Sequence, residues 1–106
     1  MGIYRDRLDI IADILNVATR RAKKTQIMYQ ANLNHALLKK YLREILAARL
    51  IRHNVNTQLF ILTEKGQDFL KVYDRYSKTN RNVEKWLDEV AMKRKVLENL
   101  SVVGQS

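Results

Sequence analysis

Thr25-Gln-Ile-Met-Tyr-Gln-Ala-Asn-Leu-Asn-His-Ala-Leu-Leu-Lys-Lys-Tyr-Leu-Arg-Glu-Ile-Leu-Ala-Ala-Arg-Leu50 carries the pattern around which the chain is organised. It predicts a short helix, a tight turn at Asn32-Leu33-Asn34, and a longer helix from His35 to about Ala48. Asn34 suits an N-cap, because its side-chain oxygen accepts from an N–H that the first helical turn leaves without a partner. At about 100° per residue along the second helix, Leu38, Leu42, Ile45 and Leu46 share one side. Ala36, Lys40, Arg43 and Ala47 share the other, with Lys39 on the flank. The first side is a core stripe. The second is basic and sterically low, since two alanines separate its cations, so it can lie close against a polyanion. Two helices joined by a short turn, the second with a positive outer face, match the helix-turn-helix pattern. A solvated surface helix in a small bundle is the competing reading of the same periodicity.

The charge is distributed in the same sense. Net charge is +9 over 106 residues, and residues 20–62 carry +8 of it, against −1 for residues 1–19 and +2 for residues 63–106. The middle segment holds nine cations (Arg20, Arg21, Lys23, Lys24, Lys39, Lys40, Arg43, Arg49 and Arg52) against Glu44 alone. Concentration of this kind is the electrostatic footprint of a nucleic-acid binder. An anionic membrane is a weaker partner, because the basic helix carries an ordinary core stripe and no large apolar face.

Upstream, Leu8, Ile11, Ile14, Leu15 and Ala18 recur at helical spacing, giving a first helix over residues 6–18 with Asp6 and Asp9 at its positive end. Thr19 to Ala22 reads as a connection, and Thr25 as the N-cap of the next helix, with Ile27, Met28 and Ala31 toward the core. Downstream, Leu50 to Leu62 has two short apolar runs around an Asn-rich centre. This predicts a β-hairpin turning near Asn54 to Thr57, a wing that a plain bundle does not need.

Thr63 then caps a long last helix. Phe69, Tyr73, Tyr76, Asn80, Val83, Leu87, Val90, Arg94 and Leu97 alternate in spacings of four and three, a seven-residue repeat over four heptads, with Trp86 beside the seam. From Thr63 to Leu100 such a helix would be about 57 Å long at ~1.5 Å per residue, too long to be covered by a head of this size. An exposed apolar seam calls for a partner helix, and a second copy is the simplest one. An antiparallel pair is favoured: it avoids opposing Arg94 to Arg94 and sets the aromatic half of the seam against the aliphatic half. The expected organisation is a mainly α head with a small β-hairpin over residues 1–62, a dimerisation helix over 63–101, and a tail at 102–106.

Several motifs then fall in a familiar order: Lys23-Lys-Thr-Gln-Ile-Met-Tyr-Gln-Ala-Asn-Leu-Asn34, Leu38-Lys-Lys-Tyr-Leu42, Leu50-Ile51 and Leu62-Thr-Glu-Lys-Gly66. Over roughly residues 5–75 the chain resembles the archaeal winged-helix family of small basic DNA-binding proteins from Sulfolobus and its relatives, the chromatin-associated "ten-a" class. The resemblance implies a winged helix-turn-helix head, an antiparallel coiled-coil homodimer through the last helix, and DNA binding. One position departs from it. Arg49 stands where such proteins usually carry a glycine, which suits a left-handed helix C-cap. Arg49 must take up that conformation or end the helix differently, and it adds a cation near the wing.

Duplex DNA is therefore the expected partner, with the His35–Ala48 helix in the major groove and the wing on the backbone or minor groove. Lys39, Lys40 and Arg43 are the foremost candidates for phosphate contact, and Arg43 alternatively for guanine. Lys23, Lys24, Thr25 and Gln26 stand at the start of the preceding helix. Asn34 and His35 are placed for base edges or for capping, and Arg52, Asn54 and Asn56 belong to the wing, where the asparagines alternatively serve only the turn. With few residues able to read bases, sequence preference should be weak and packaging of the chromosome the role. A sequence-specific transcriptional regulator and a protein-interaction module are the alternatives. RNA is less suited, as no aromatic stacking platform is apparent. No catalytic residue, metal ligand set or cofactor is expected: there is no cysteine, no glycine-rich phosphate loop, and the two histidines, His35 and His53, have no nearby carboxylate pair. Without a signal peptide or an apolar run long enough to span a bilayer, the expected location is cytoplasmic and chromosome-associated.

Overall fold

The structure, a computed structural model, describes residues 5–101 apart from the side chains of residues 80 and 81. Asn80 of the expected seam and the tail at 102–106 therefore lie outside the described residues. The element order is α1 (Arg7–Ala18), α2 (Lys24–Gln30), α3 (His35–Ala47), β1 (Ile51–Asn54), β2 (Leu59–Leu62) and α4 (Glu64–Leu100). The chain forms two compact units, residues 1–73 and 74–106. The first unit thus takes in the opening turns of α4, where the sequence pattern put the division at residue 62.

Each helix of the first unit begins and ends for a local reason. Asp6 caps α1 reciprocally: its carboxylate accepts from the Asp9 N–H at 2.9 Å, and the Asp9 carboxylate accepts from the Asp6 N–H at 3.0 Å. Beyond α1, the connection does more than join helices. Ala22 pairs with Phe60 through two backbone hydrogen bonds of 3.1 and 2.8 Å, adding a one-residue bridge to the edge of β2 that β1 leaves open. This bridge corrects the expected start of α2. Ala22 and Lys23 are held extended, so the helix begins at Lys24 with Lys23, not Thr25, as N-cap, and the Gln26 side chain accepts from the Lys23 N–H at 3.2 Å.

Asn32 ends α2 with φ 53°, and the Leu33 N–H reaches the Met28 carbonyl at 2.9 Å. Asn34 then caps α3 as expected, accepting from the Leu37 N–H at 2.8 Å. Arg49 resolves the departure from glycine by adopting the left-handed conformation, φ 61°, with the Leu50 N–H on the Ile45 carbonyl at 3.1 Å and its own N–H on the Leu46 carbonyl at 3.0 Å. Both helix ends are Schellman closures made without glycine. The strain at Arg49 is offset by the start of α4: the Thr63 hydroxyl donates to the Arg49 carbonyl at 2.7 Å, and Lys65 Nζ to the Ala48 carbonyl at 2.7 Å. Thr63 also caps α4, accepting from the Gly66 N–H at 3.0 Å. Gly66 is required by close approach, since a Cβ there would lie 2.1 Å from the Leu50 carbonyl oxygen.

The hairpin pairs Ile51 with Leu62 and Asn54 with Leu59 in antiparallel register. Asn54 makes its turn, its side-chain oxygen accepting from the N–H groups of Asn56 at 2.9 Å and Thr57 at 3.2 Å. Ile14, Leu15, Ile27, Leu38, Ile45 and Ile51 are fully buried at the centre of the head, and no described polar side chain is buried with them. Tyr41 joins this core although the stripe on α3 did not include it; Leu46 packs against its edge. Phe69 also packs on this core, its ring 6.3 Å from that of Tyr73, and the Tyr73 hydroxyl donates to the Asp9 carboxylate. These two rings, expected on a dimer seam, are engaged within the first unit. The second unit is the remainder of α4, whose described side chains are exposed except for half-buried Ser77.

Candidate nucleic-acid interface

The outward face of α3 is as the spacing predicted. His35, Ala36, Lys39, Lys40, Arg43 and Ala47 are all exposed, and Ala36, Lys39, Lys40, Arg43 and Glu44 line one shallow cleft. Glu44, the only acid on this helix, is paired to Arg7 of α1 at 3.3 Å. Among the described residues no carboxylate pairs with Lys39, Lys40 or Arg43, so their charge is available to an external anion. The Lys40 amine stands 5.6 Å from the Tyr41 ring centre, a cation–π approach that directs its stem along the helix.

A second cleft lies between the start of α2 and the hairpin, lined by Lys23, Lys24, Thr25, His53, Gln58 and Phe60. The backbone explains why these residues meet. Phe60 is bridged to Ala22 on one edge and paired with His53 on the other, so Lys23 is carried to the side of the wing. The His53 ring stacks on Phe60, centroids 4.4 Å apart. Thr25 is exposed at this cleft without being a cap. Gln26 and Asn34 each have a side-chain oxygen committed to helix capping, which reduces what they offer a base edge. Arg52 is exposed on β1; Asn54 is committed to the turn, while the Asn56 side chain makes no hydrogen bond among the described residues.

Three features escaped the sequence reading. His53 and Gln58 enter the site only through hairpin register, which a period-two pattern this short does not fix. Arg5 is the third. Its guanidinium donates to Asp13 at 2.9 Å, to the Ala31 carbonyl at 2.6 Å and to the Asn32 carbonyl at 2.9 Å. It thereby fastens the turn between α2 and α3 to α1, fixing the approach of α3. The Tyr73 hydroxyl, with further help from backbone and side chain of Asp6 and from the Arg5 charge, holds the Asp9 carboxyl below the usual carboxylate range against the opposing effect of burial.

On the second unit, Tyr76, Val83, Leu87, Val90 and Leu97 are 44–66% exposed, and Trp86 beside them 62%. Arg94 pairs with Glu98 at 3.3 Å, one turn on. Among the described residues there is no cluster of metal-ligating side chains and no helix long and apolar enough to cross a membrane.

A family model described as winged helix-turn-helix matches residues 4–81. The chain belongs to the winged helix-turn-helix family. Among solved structures it is similar to Sso10a-2, a DNA-binding protein from Sulfolobus solfataricus, at 21% identity and TM-score 0.78 over 83% of this chain and 95% of that one. It is also similar to Lactococcus lactis ZitR in complex with DNA, at 17% identity and TM-score 0.57 over 94% and 76% of the two chains. A further structure of ZitR describes it as a zinc-responsive MarR family member, at 17% identity and TM-score 0.57 over 94% and 74%. At these identities the likeness is one of fold. No curated protein matches the chain. The matched residues take in α2, α3 and the hairpin, together with the bridge at Ala22.

Proposed function

We propose that this winged helix-turn-helix protein binds double-stranded DNA, with α3 in the major groove and the hairpin on the backbone or minor groove. The observation that carries the reading is the exposed face of α3, where Lys39, Lys40 and Arg43 have no acidic partner while the one acid beside them is neutralised by Arg7. Lys23, Lys24 and Arg52 extend the positive surface toward the wing, with the Thr25 hydroxyl beside them. The DNA-binding description of Sso10a-2 and the DNA complex of ZitR support it by analogy of fold.

Most of this surface suits phosphate, not base edges, and Asn34 and Gln26 are engaged in capping. The reading is therefore an architectural protein of the chromosome with weak sequence preference, and not a regulator of single genes. The exposed seam on α4 supports a homodimer through Tyr76, Val83, Trp86, Leu87, Val90 and Leu97, antiparallel so that the Arg94 side chains do not oppose one another.

Fluorescence anisotropy with a random-sequence duplex at low salt tests the proposal. Wild type binds, and the Lys39→Ala/Lys40→Ala/Arg43→Ala variant binds on the order of a hundredfold more weakly, as expected when three phosphate contacts are lost. Equal binding by the two would remove α3 from the interface. No binding by wild type, together with failure to select any sequence from a random library, would replace DNA with a protein partner.

A further inference from the structure

The tip of the wing is uncharged, unlike the basic segment that flanks it. Residues 54–58, Asn-Val-Asn-Thr-Gln, hold no charge, within a stretch that is otherwise strongly basic. Among them Val55 is 73% exposed, an apolar β-branched side chain presented to solvent. The turn that presents it is fixed from both sides. Asn54 accepts from the N–H groups of Asn56 and Thr57, and Gln58 Nε2 donates to the Val55 carbonyl itself at 2.7 Å. Gln58 takes the left-handed conformation, φ 60°, to make this closure. Two of the four amide- or hydroxyl-bearing side chains in the loop are thus used to hold the valine in place. A tip built to attract phosphate would carry lysine or arginine. This one offers a rigid apolar point with one amide, Asn56, beside it.

We propose that Val55 is a specificity-determining residue that probes the floor of the DNA minor groove and disfavours G·C pairs. The inference rests on the DNA-binding reading above. The minor groove shows only acceptors at A·T pairs, whereas guanine adds its 2-amino group to the floor at G·C. A branched apolar side chain fits against the open floor of A·T pairs and the edges of the sugars. Against guanine it meets the amino group and strips it of water without accepting its hydrogen bond. Asn56, with its amide uncommitted, can donate to the acceptors that A·T pairs present. The weak sequence preference of the protein would then be a preference for A·T content, set by the wing and independent of α3.

Three alternating duplexes, dA·dT, dG·dC and dI·dC, separate the possibilities. Inosine keeps the major-groove face of guanine and lacks the 2-amino group. Wild type should bind dA·dT and dI·dC with similar affinity and dG·dC about tenfold more weakly, the scale of one lost base-edge contact. Val55→Ala, which removes an exposed side chain and should leave the melting temperature unchanged, should narrow that ratio to about twofold. The α3 triple alanine variant should weaken all three duplexes by a common factor and keep the ratio. Equal binding of wild type to all three duplexes overturns the inference and leaves the DNA reading intact. So does a ratio that persists in Val55→Ala, which would assign the preference to groove shape. Absence of binding to any of the three overturns the DNA reading and this inference with it.

Discussion

The two units of this chain use similar sequence material to opposite ends. In residues 5–73 the apolar positions of α1, α2, α3 and the hairpin converge on one core, with Ile14, Leu15, Leu38 and Ile45 all at 1% exposure or less. In residues 74–101 the apolar positions are as regular, yet Val83, Leu87, Val90 and Leu97 remain 44–66% exposed. Periodicity therefore says that a face exists and not what covers it. The head answers the question with its own chain; the seam of α4 stays uncovered among the described residues. The boundary also falls inside a helix: α4 belongs to the head as far as Tyr73 because Phe69 finds the core and Tyr73 finds Asp9.

Substitutions on the seam should have the greatest consequence. Leu87→Glu/Val90→Glu should abolish self-association, giving a species of 12.5 kDa by sedimentation equilibrium where wild type gives twice that mass, while near-UV signals of the head persist. A wild type that sediments at 12.5 kDa at all concentrations would refute the dimer. In the head, Leu38→Ala removes a fully buried side chain and should cost about 2–5 kcal/mol in denaturant unfolding, the range of leucine truncations in well-packed cores. Gly66→Ala is the next test. Its Cβ would meet the Leu50 carbonyl, so α4 must shift from the exit of α3, at a cost of about 1–3 kcal/mol. A neutral substitution would show that this junction is looser than described.

The smallest effect concerns the contact between α4 and α1. Because Tyr73 holds the folded Asp9 carboxyl below its unfolded range, the contribution is present at neutral pH and above. It is lost as pH falls below the unfolded value and through the lowered folded one. Tyr73→Phe removes the largest cause of that lowering. The stability difference between wild type and variant should therefore shrink on acidification below about pH 4. A difference that grows there would reverse the assignment.

How much was legible beforehand follows from the range of the interactions. The caps at Asn34 and Thr63, the core stripe of α3 and the hairpin are set by residues a few positions apart, and the sequence pattern located them. The Ala22–Phe60 bridge is a single pair between distant segments and has no period to detect. That bridge moves the N-cap of α2 from Thr25 to Lys23. Arg5 reaches carbonyls 26 and 27 residues on, a contact no local rule contains. Arg49 was legible as a problem, and its solution was not, since the hydroxyl and amine that stabilise the left-handed turn come from Thr63 and Lys65.

Whether α3 holds the DNA is decided by the salt dependence of affinity, compared between wild type and the α3 triple alanine variant. Each phosphate neutralised contributes about 0.9 to the slope of log affinity against log salt. The wild-type slope should be steep and that of the variant shallower by about three. Identical slopes would contradict the proposed interface, because the cations of α3 would then not be where the DNA is held.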